Sequence, residues 1–209
     1  MNIKDHTKKL MEAAALFFVL FFPLPQYTFE NSALTIIGHS IFWRIPALIL
    51  ILLLLGKKPL FRPKTAFLTL AAALPALVLT GFLVSYCAMR TGYTPPDPIK
   101  PPDGILGWIA AITLSLSTGF LEEAYFRVYL PRRLMEQNTE KTTRSVVYAF
   151  MGSGLIFSLC HAYEGPFGIV NAIMAALVLS LAYIKSSSFP GIALAHGLYN
   201  CLVFLSAGM

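Results

Sequence analysis

The stretch Ser117-Thr118-Gly119-Phe120-Leu121-Glu122-Glu123-Ala124-Tyr125-Phe126-Arg127 sets two adjacent carboxylates and a guanidinium in a run otherwise apolar enough to cross a bilayer. A charge held at that depth is costly unless it is paired or hydrated, so intramembrane ionisable residues point to function by default. Two histidines, His161 and His196, lie in later apolar segments. Acid, base and polar groups therefore gather in a chain that otherwise avoids charge.

The surrounding composition supports that setting. The 209 residues are 56% hydrophobic and 12% charged, with a mean hydropathy of +0.68, whereas soluble domains carry about 25% charged residues. The net charge of +6 does not indicate nucleic acid. Lys and Arg fall in short clusters between apolar runs, and no extended basic face is available to neutralise phosphates. Cys87, Cys160 and Cys201 lie among apolar neighbours and read as small hydrophobes rather than a disulfide framework.

Seven apolar segments, at about 10–29, 33–55, 66–88, 105–131, 145–163, 166–185 and 189–208, approach the ~20 residues that a spanning helix needs. The first begins after a basic stretch like that of a signal peptide. Glu12 and the lack of a small-residue cleavage site before Gln26 favour a retained helix. Basic clusters at Lys4, Lys8 and Lys9, at Lys57, Lys58, Arg62 and Lys64, at Arg132, Arg133, Lys141 and Arg144, and at Lys185 all fall in alternate connections. That pattern puts the N-terminus in the cytoplasm and the C-terminus outside. The expected fold is an all-α polytopic bundle of about seven spans forming a single integral membrane domain over 1–209. The Pro-rich connection from Arg90 to Gly104 reads as a stiff, extended strap.

Helix spacing separates the charged residues. Glu123 and Arg127 are one turn apart and share a face. Glu122 is rotated by about 100° from its neighbour, which leaves it without such a partner and suited to exchanging protons. Phe157 with His161, and His196 with Asn200, have the same one-turn spacing. The last pair presents an imidazole and an amide on one face, both able to donate to a developing oxyanion. Ala193, Gly197 and Cys201 lie one position further round and let a neighbouring helix come close.

Taken in order, Glu122-Glu123-x-x-x-Arg127, Phe157-x-x-x-His161 and His196-x-x-x-Asn200 resemble the CAAX-prenyl-endopeptidase and bacteriocin-processing (Abi, CPBP) family of glutamic-type intramembrane proteases. The resemblance covers Leu106 to Leu205 and implies a family-like catalytic core at 105–208, with accessory helices at 10–88. Phe126 fits the pattern, and Val128 replaces a glycine that is common there. It further implies that Glu122 and His161 activate a water, that His196 and Asn200 hold the oxyanion, and that Glu123 and Arg127 lock the helix. The implied partners are the bilayer and a membrane-anchored peptide substrate, such as a prenylated tail, a bacteriocin precursor or a sorting signal. A short chain suits a prokaryotic cell membrane. No cofactor is implied.

Plainer readings use the same residues. Glu122 and Glu123 can form a structural charge network with Arg127, Arg132 and Arg133, and His196 with Asn200 can serve as interhelical glue. A non-catalytic immunity factor or scaffold would then result. Two histidines and one or two glutamates can also bind zinc through three protein ligands with one position open, although a His-Glu-x-x-His helix is absent. Cys160 beside His161 suggests a cysteine protease, but an apolar site disfavours the thiolate. A proton-relay transporter would require an internal repeat or a broken helix. Arg44, with His39 nearby, reads as a packing partner or a snorkelling cation, and Trp108 and Tyr148 as interfacial anchors. The drawn spans leave one conflict: Glu122 lies toward the cytoplasmic end of its helix and His161 toward the outer end of the next. At ~1.5 Å per residue, a shared water then requires shifted boundaries or a tilted helix.

Overall fold

The computed structural model describes residues 7, 9–13, 16–17, 33–55, 62–94, 99–136 and 142–206. Among them the chain is helical throughout, with no strand. Five helices are long and apolar enough to cross a membrane: α1 (Ala33–Leu54), α2 (Pro63–Arg90), α3 (Gly104–Glu136), α5 (Gly165–Ser186, entered through a 3-10 turn at Ala162–Glu164) and α6 (Phe189–Ser206). Between α3 and α5 lies α4 (Thr143–Leu159), whose 17 residues extend about 25 Å at ~1.5 Å per residue. The polytopic bundle is thus the observed fold. Of the expected first span at 10–29, most lies outside the described residues, as do Pro95, Pro96 and Pro98 of the strap.

Local sequence sets the helix ends. Pro63 and Pro166 stand in the first turns of α2 and α5, where a missing amide hydrogen costs no helical bond. The Thr142 side chain accepts from the Ser145 amide at 3.3 Å to begin α4. Large side chains such as Phe82, Leu155 and Leu181 remain exposed along the helices, as befits a surface solvated by lipid. On the strap, the Tyr93 hydroxyl donates to the Glu164 carbonyl at 3.3 Å, and its ring packs on Phe167.

The observed boundaries remove the depth conflict. α3 runs on to Glu136 rather than ending near 131, and α4 ends at Leu159, with His161 in the turn beyond it. Measured from the α3–α4 connection, Glu122 stands about 21 Å up α3 and His161 about 27 Å up the other arm, given ~1.5 Å per residue. The two fall within roughly one helical turn of a common level.

α3 and α6 share the most extensive contact, α2 lies against α5 and α6, and α4 packs on α5 and on the second half of α3. The α3–α6 crossing depends on residues without bulk. A methyl group on Gly119 would lie 2.6 Å from the Gly197 amide nitrogen and 2.9 Å from the Ala193 carbonyl oxygen. Those are backbone atoms, so the helices would have to part. Gly119→Ala is therefore expected to destabilise the protein by about 1–3 kcal/mol, read as a lower unfolding midpoint in detergent. Gly152→Ala is the control: its nearest neighbour would be a Leu134 methyl at 3.8 Å, and gaining helix propensity makes it neutral or mildly stabilising.

Candidate active site

Glu122 and Glu123 end the regular part of α3, and the next turn, Ala124–Tyr129, is π-helical. The wider turn still carries Arg127 back beneath Glu123. The Arg127 Nε lies 3.3 Å from Glu123 Oε2, and neither side chain has any solvent exposure. Arg127 Cζ also sits 4.4 Å from the centre of the Phe157 ring. None of its nitrogens has hydrogen-bond geometry to a protein acceptor, so its charge is balanced by an adjacent carboxylate and an aromatic face.

The other Glu123 oxygen reaches across to α6. His196 Nδ1 stands 2.9 Å from Glu123 Oε1, and its Nε2 faces Glu122 Oε2 at 3.8 Å. The expectation that Glu122 lacks a partner on its own helix is consistent with this. Its neighbour comes from α6, and the two glutamates approach opposite edges of one imidazole. Phe157 forms the floor, with its ring 6.1 Å from that of His196 and 4.6 Å from that of His161.

His161 sits in the turn after α4, half-buried, with Nδ1 2.9 Å from the Phe157 carbonyl oxygen and its ring stacked on Tyr163. A carbonyl accepts only from an N–H, so Nδ1 carries the proton, and in the neutral ring Nε2 keeps its lone pair. Glu122 is close enough to this turn to interact electrostatically with Cys160 and Tyr163, which flank His161. Asn200, half-buried, follows His196 by one turn on α6. Glu122, Glu123, Arg127, Phe157 and His196 thus form one connected cluster, with His161 joined through Phe157.

Residues 104–202 match the model of a family described as type II CAAX prenyl endopeptidase Rce1-like. This stretch is an Rce1-like domain. No curated protein and no solved structure matches the chain. The Rce1-like domain begins at the first residue of α3 and ends within α6, so it contains every member of the cluster, whereas α1 and α2 precede it. The chain is accordingly an integral membrane protein with a domain of a membrane-protease family.

Among the described residues, no three His, Cys, Asp or Glu side chains are placed to hold a metal ion. Both Glu123 oxygens are already turned toward protein groups, His196 and Arg127. Arg44 is buried rather than snorkelling, with Nη1 3.1 Å from His39 Nδ1. Sequence spacing gave no sign of two further contacts. The Tyr125 hydroxyl donates to the Ala13 carbonyl at 2.9 Å, and the Ser153 hydroxyl donates to that of Phe126. Both cross between helices, where periodicity carries no information.

The two glutamates should separate in a stability measurement. Glu123→Ala leaves a fully buried guanidinium without its carboxylate and is expected to cost about 3–5 kcal/mol. Glu122→Gln keeps the side-chain shape and leaves Arg127 with its carboxylate, so its unfolding midpoint in detergent should stay close to that of the parent.

Proposed function

We propose that the protein is a glutamic-type intramembrane endopeptidase that hydrolyses a peptide bond of a membrane-anchored substrate. The observation that carries this reading is the arrangement around Glu122. One imidazole, clamped by Glu123, faces it from α6, and a second, with its tautomer set by the Phe157 carbonyl, stands above the same aromatic floor. The residues at 105–208 act as the catalytic core, and those at 10–88 are accessory.

In the proposed reaction Glu122, assisted by the Nε2 lone pair of His161, takes a proton from water. The oxygen attacks the scissile carbonyl carbon, and the carbonyl electrons move onto oxygen. His196 and Asn200 donate hydrogen bonds to that oxyanion. Collapse breaks the C–N bond, and the leaving amine collects the proton held by Glu122. The products are a carboxylate and an amine, and no acyl-enzyme forms because water is the nucleophile. His196 can donate to the oxyanion from Nε2 while Nδ1–H remains on Glu123. In its imidazolium form it also makes the cluster of two carboxylates and one guanidinium electrically neutral. Glu123 and Arg127 hold the geometry. The substrate class suited to such a site is a lipid-anchored peptide cut near its C-terminus, a prenyl-cysteine tail being the form that the family name suggests.

The test is cleavage of an internally quenched farnesylated peptide by purified protein in detergent or proteoliposomes. Glu122→Gln and His161→Ala are each expected to abolish turnover while the protein stays folded, and Asn200→Ala to lower kcat by about 10²–10³. Turnover should persist in the presence of a metal chelator. Full activity in a folded Glu122→Gln variant would remove the assignment. Loss on chelation, restored by added zinc, would replace it with a metal mechanism.

A further inference from the structure

The π-helical turn that follows Glu123 and carries Arg127 has a dedicated support. Pro131 follows it closely, and proline offers no amide hydrogen and crowds the carbonyl one turn back. Widening the preceding turn relieves that crowding, and the Leu130 amide accordingly donates to the Tyr125 carbonyl, five residues back. The carbonyl of Phe126 would receive a hydrogen from Leu130 in an α-helix, or from residue 131 in a π-helix. The first amide is committed elsewhere and the second position is proline. The Ser153 hydroxyl, on α4 and fully buried, takes that place and donates to Phe126 O at 2.5 Å.

The same construction occurs a second time, which isolates what is special here. In α1 a π-helical turn at Ser40–Arg44 precedes Pro46, and the Ile45 amide donates to the Ser40 carbonyl, again five back. Among the described residues no side chain donates to the matching carbonyl, that of Ile41. A proline follows both widened turns, although Pro75 inside α2 leaves its helix α-helical. The hydroxyl from a neighbouring helix is added where the turn bears Arg127 and directly follows Glu123.

We propose that Ser153 is a positioning residue for the active site, whose hydroxyl fixes the proline-widened turn at Ala124–Tyr129 and so sets how Glu122, Glu123 and Arg127 fan out toward His196. Phe126 is the intermediary: its carbonyl is held by Ser153, its ring packs edge-on against Phe157 at 5.2 Å, and Arg127 follows it directly. α4 therefore grips the glutamate-bearing helix in addition to the α6 contact at Gly119. The role rests on the hydrolytic reading above.

A double-mutant cycle with Pro131 tests it. Ser153→Ala should lower kcat roughly tenfold on the quenched farnesylated peptide with little change in KM, because the change falls on the orientation of the reacting groups. Ser153→Thr keeps a hydroxyl and should retain most of the rate. Pro131→Ala supplies the missing amide, so adding Ser153→Ala to it should cost much less than in the parent, both in kcat and in unfolding midpoint. An additive cycle in the unfolding midpoint, or a Ser153→Ala variant with the parent kcat, would overturn the role of Ser153. The unfolding cycle needs no substrate, so it decides even if the peptide is not turned over. Glu122→Gln keeps the two ideas apart: if it is inactive while the Ser153 cycle is additive, the hydrolase stands and only the positioning role falls.

Discussion

A guanidinium with no access to solvent has to be neutralised where it stands, and most of the bundle's second half can be understood from that constraint on Arg127. Its counter-charge is Glu123, one residue round from Glu122, so satisfying the cation also decides where the neighbouring carboxylate points. Glu123 in turn has a second oxygen to place, and His196 on α6 takes it at 2.9 Å. The buried pair therefore does not merely tolerate the imidazole but orients it, turning Nε2 toward Glu122. Breaking such a pair is expensive, whereas forming it contributes little net stability against an apolar alternative. Its value here lies in fixing directions.

Bringing α6 close enough to complete that contact requires the absence of side chains. Gly119 is one turn before Glu123, and any Cβ there would strike the backbone of α6 at Gly197 and Ala193. Between membrane helices the hydrophobic effect supplies little attraction, so close backbone approach and interhelical hydrogen bonds do the packing. α4 contributes Phe157 beneath the guanidinium and the Ser153 hydroxyl to a backbone carbonyl. The glutamate-bearing helix is held by two neighbours, through contact without bulk to α6 and through aromatic and hydroxyl contacts to α4.

Much of this was legible in the chain because helical periodicity and hydropathy are local. The one-turn spacing of Glu123 and Arg127 announced their pairing, and it survived a π-helical turn because residues four apart still share a face in the wider helix. The positions of the spans 33–55, 66–88 and 189–208 followed from apolar length, as did the polytopic fold. What periodicity could not show was contact between helices. Nothing in the spacing of His196 and Asn200 says that Nδ1 meets Glu123 while Nε2 faces Glu122. Nor does an isolated Ser153 reveal that it supplies a hydrogen that Pro131 withholds. The depth conflict arose from helix ends, where hydropathy is weakest: the charged turn Arg132–Glu136 belongs to α3, and ion pairs between Arg133 and Glu12 at 3.4 Å and Glu136 at 3.0 Å support helix that an apolar criterion discards.

Accessibility within the cluster falls in an order that suits hydrolysis. Glu123 and Arg127 are sealed, at 0% and 1% exposure, Glu122 opens slightly at 8%, and His161 and Asn200 are half-buried. Water is a reactant in the proposed chemistry and is scarce in a bilayer, so groups that must meet it belong at the open end of the gradient. Groups that only hold geometry gain from the closed end, where low dielectric strengthens each ion pair. His196 links the two carboxylates, with Nδ1 against Glu123 and Nε2 turned toward Glu122. An imidazole so placed can pass the influence of a fixed buried charge to the neighbouring carboxylate.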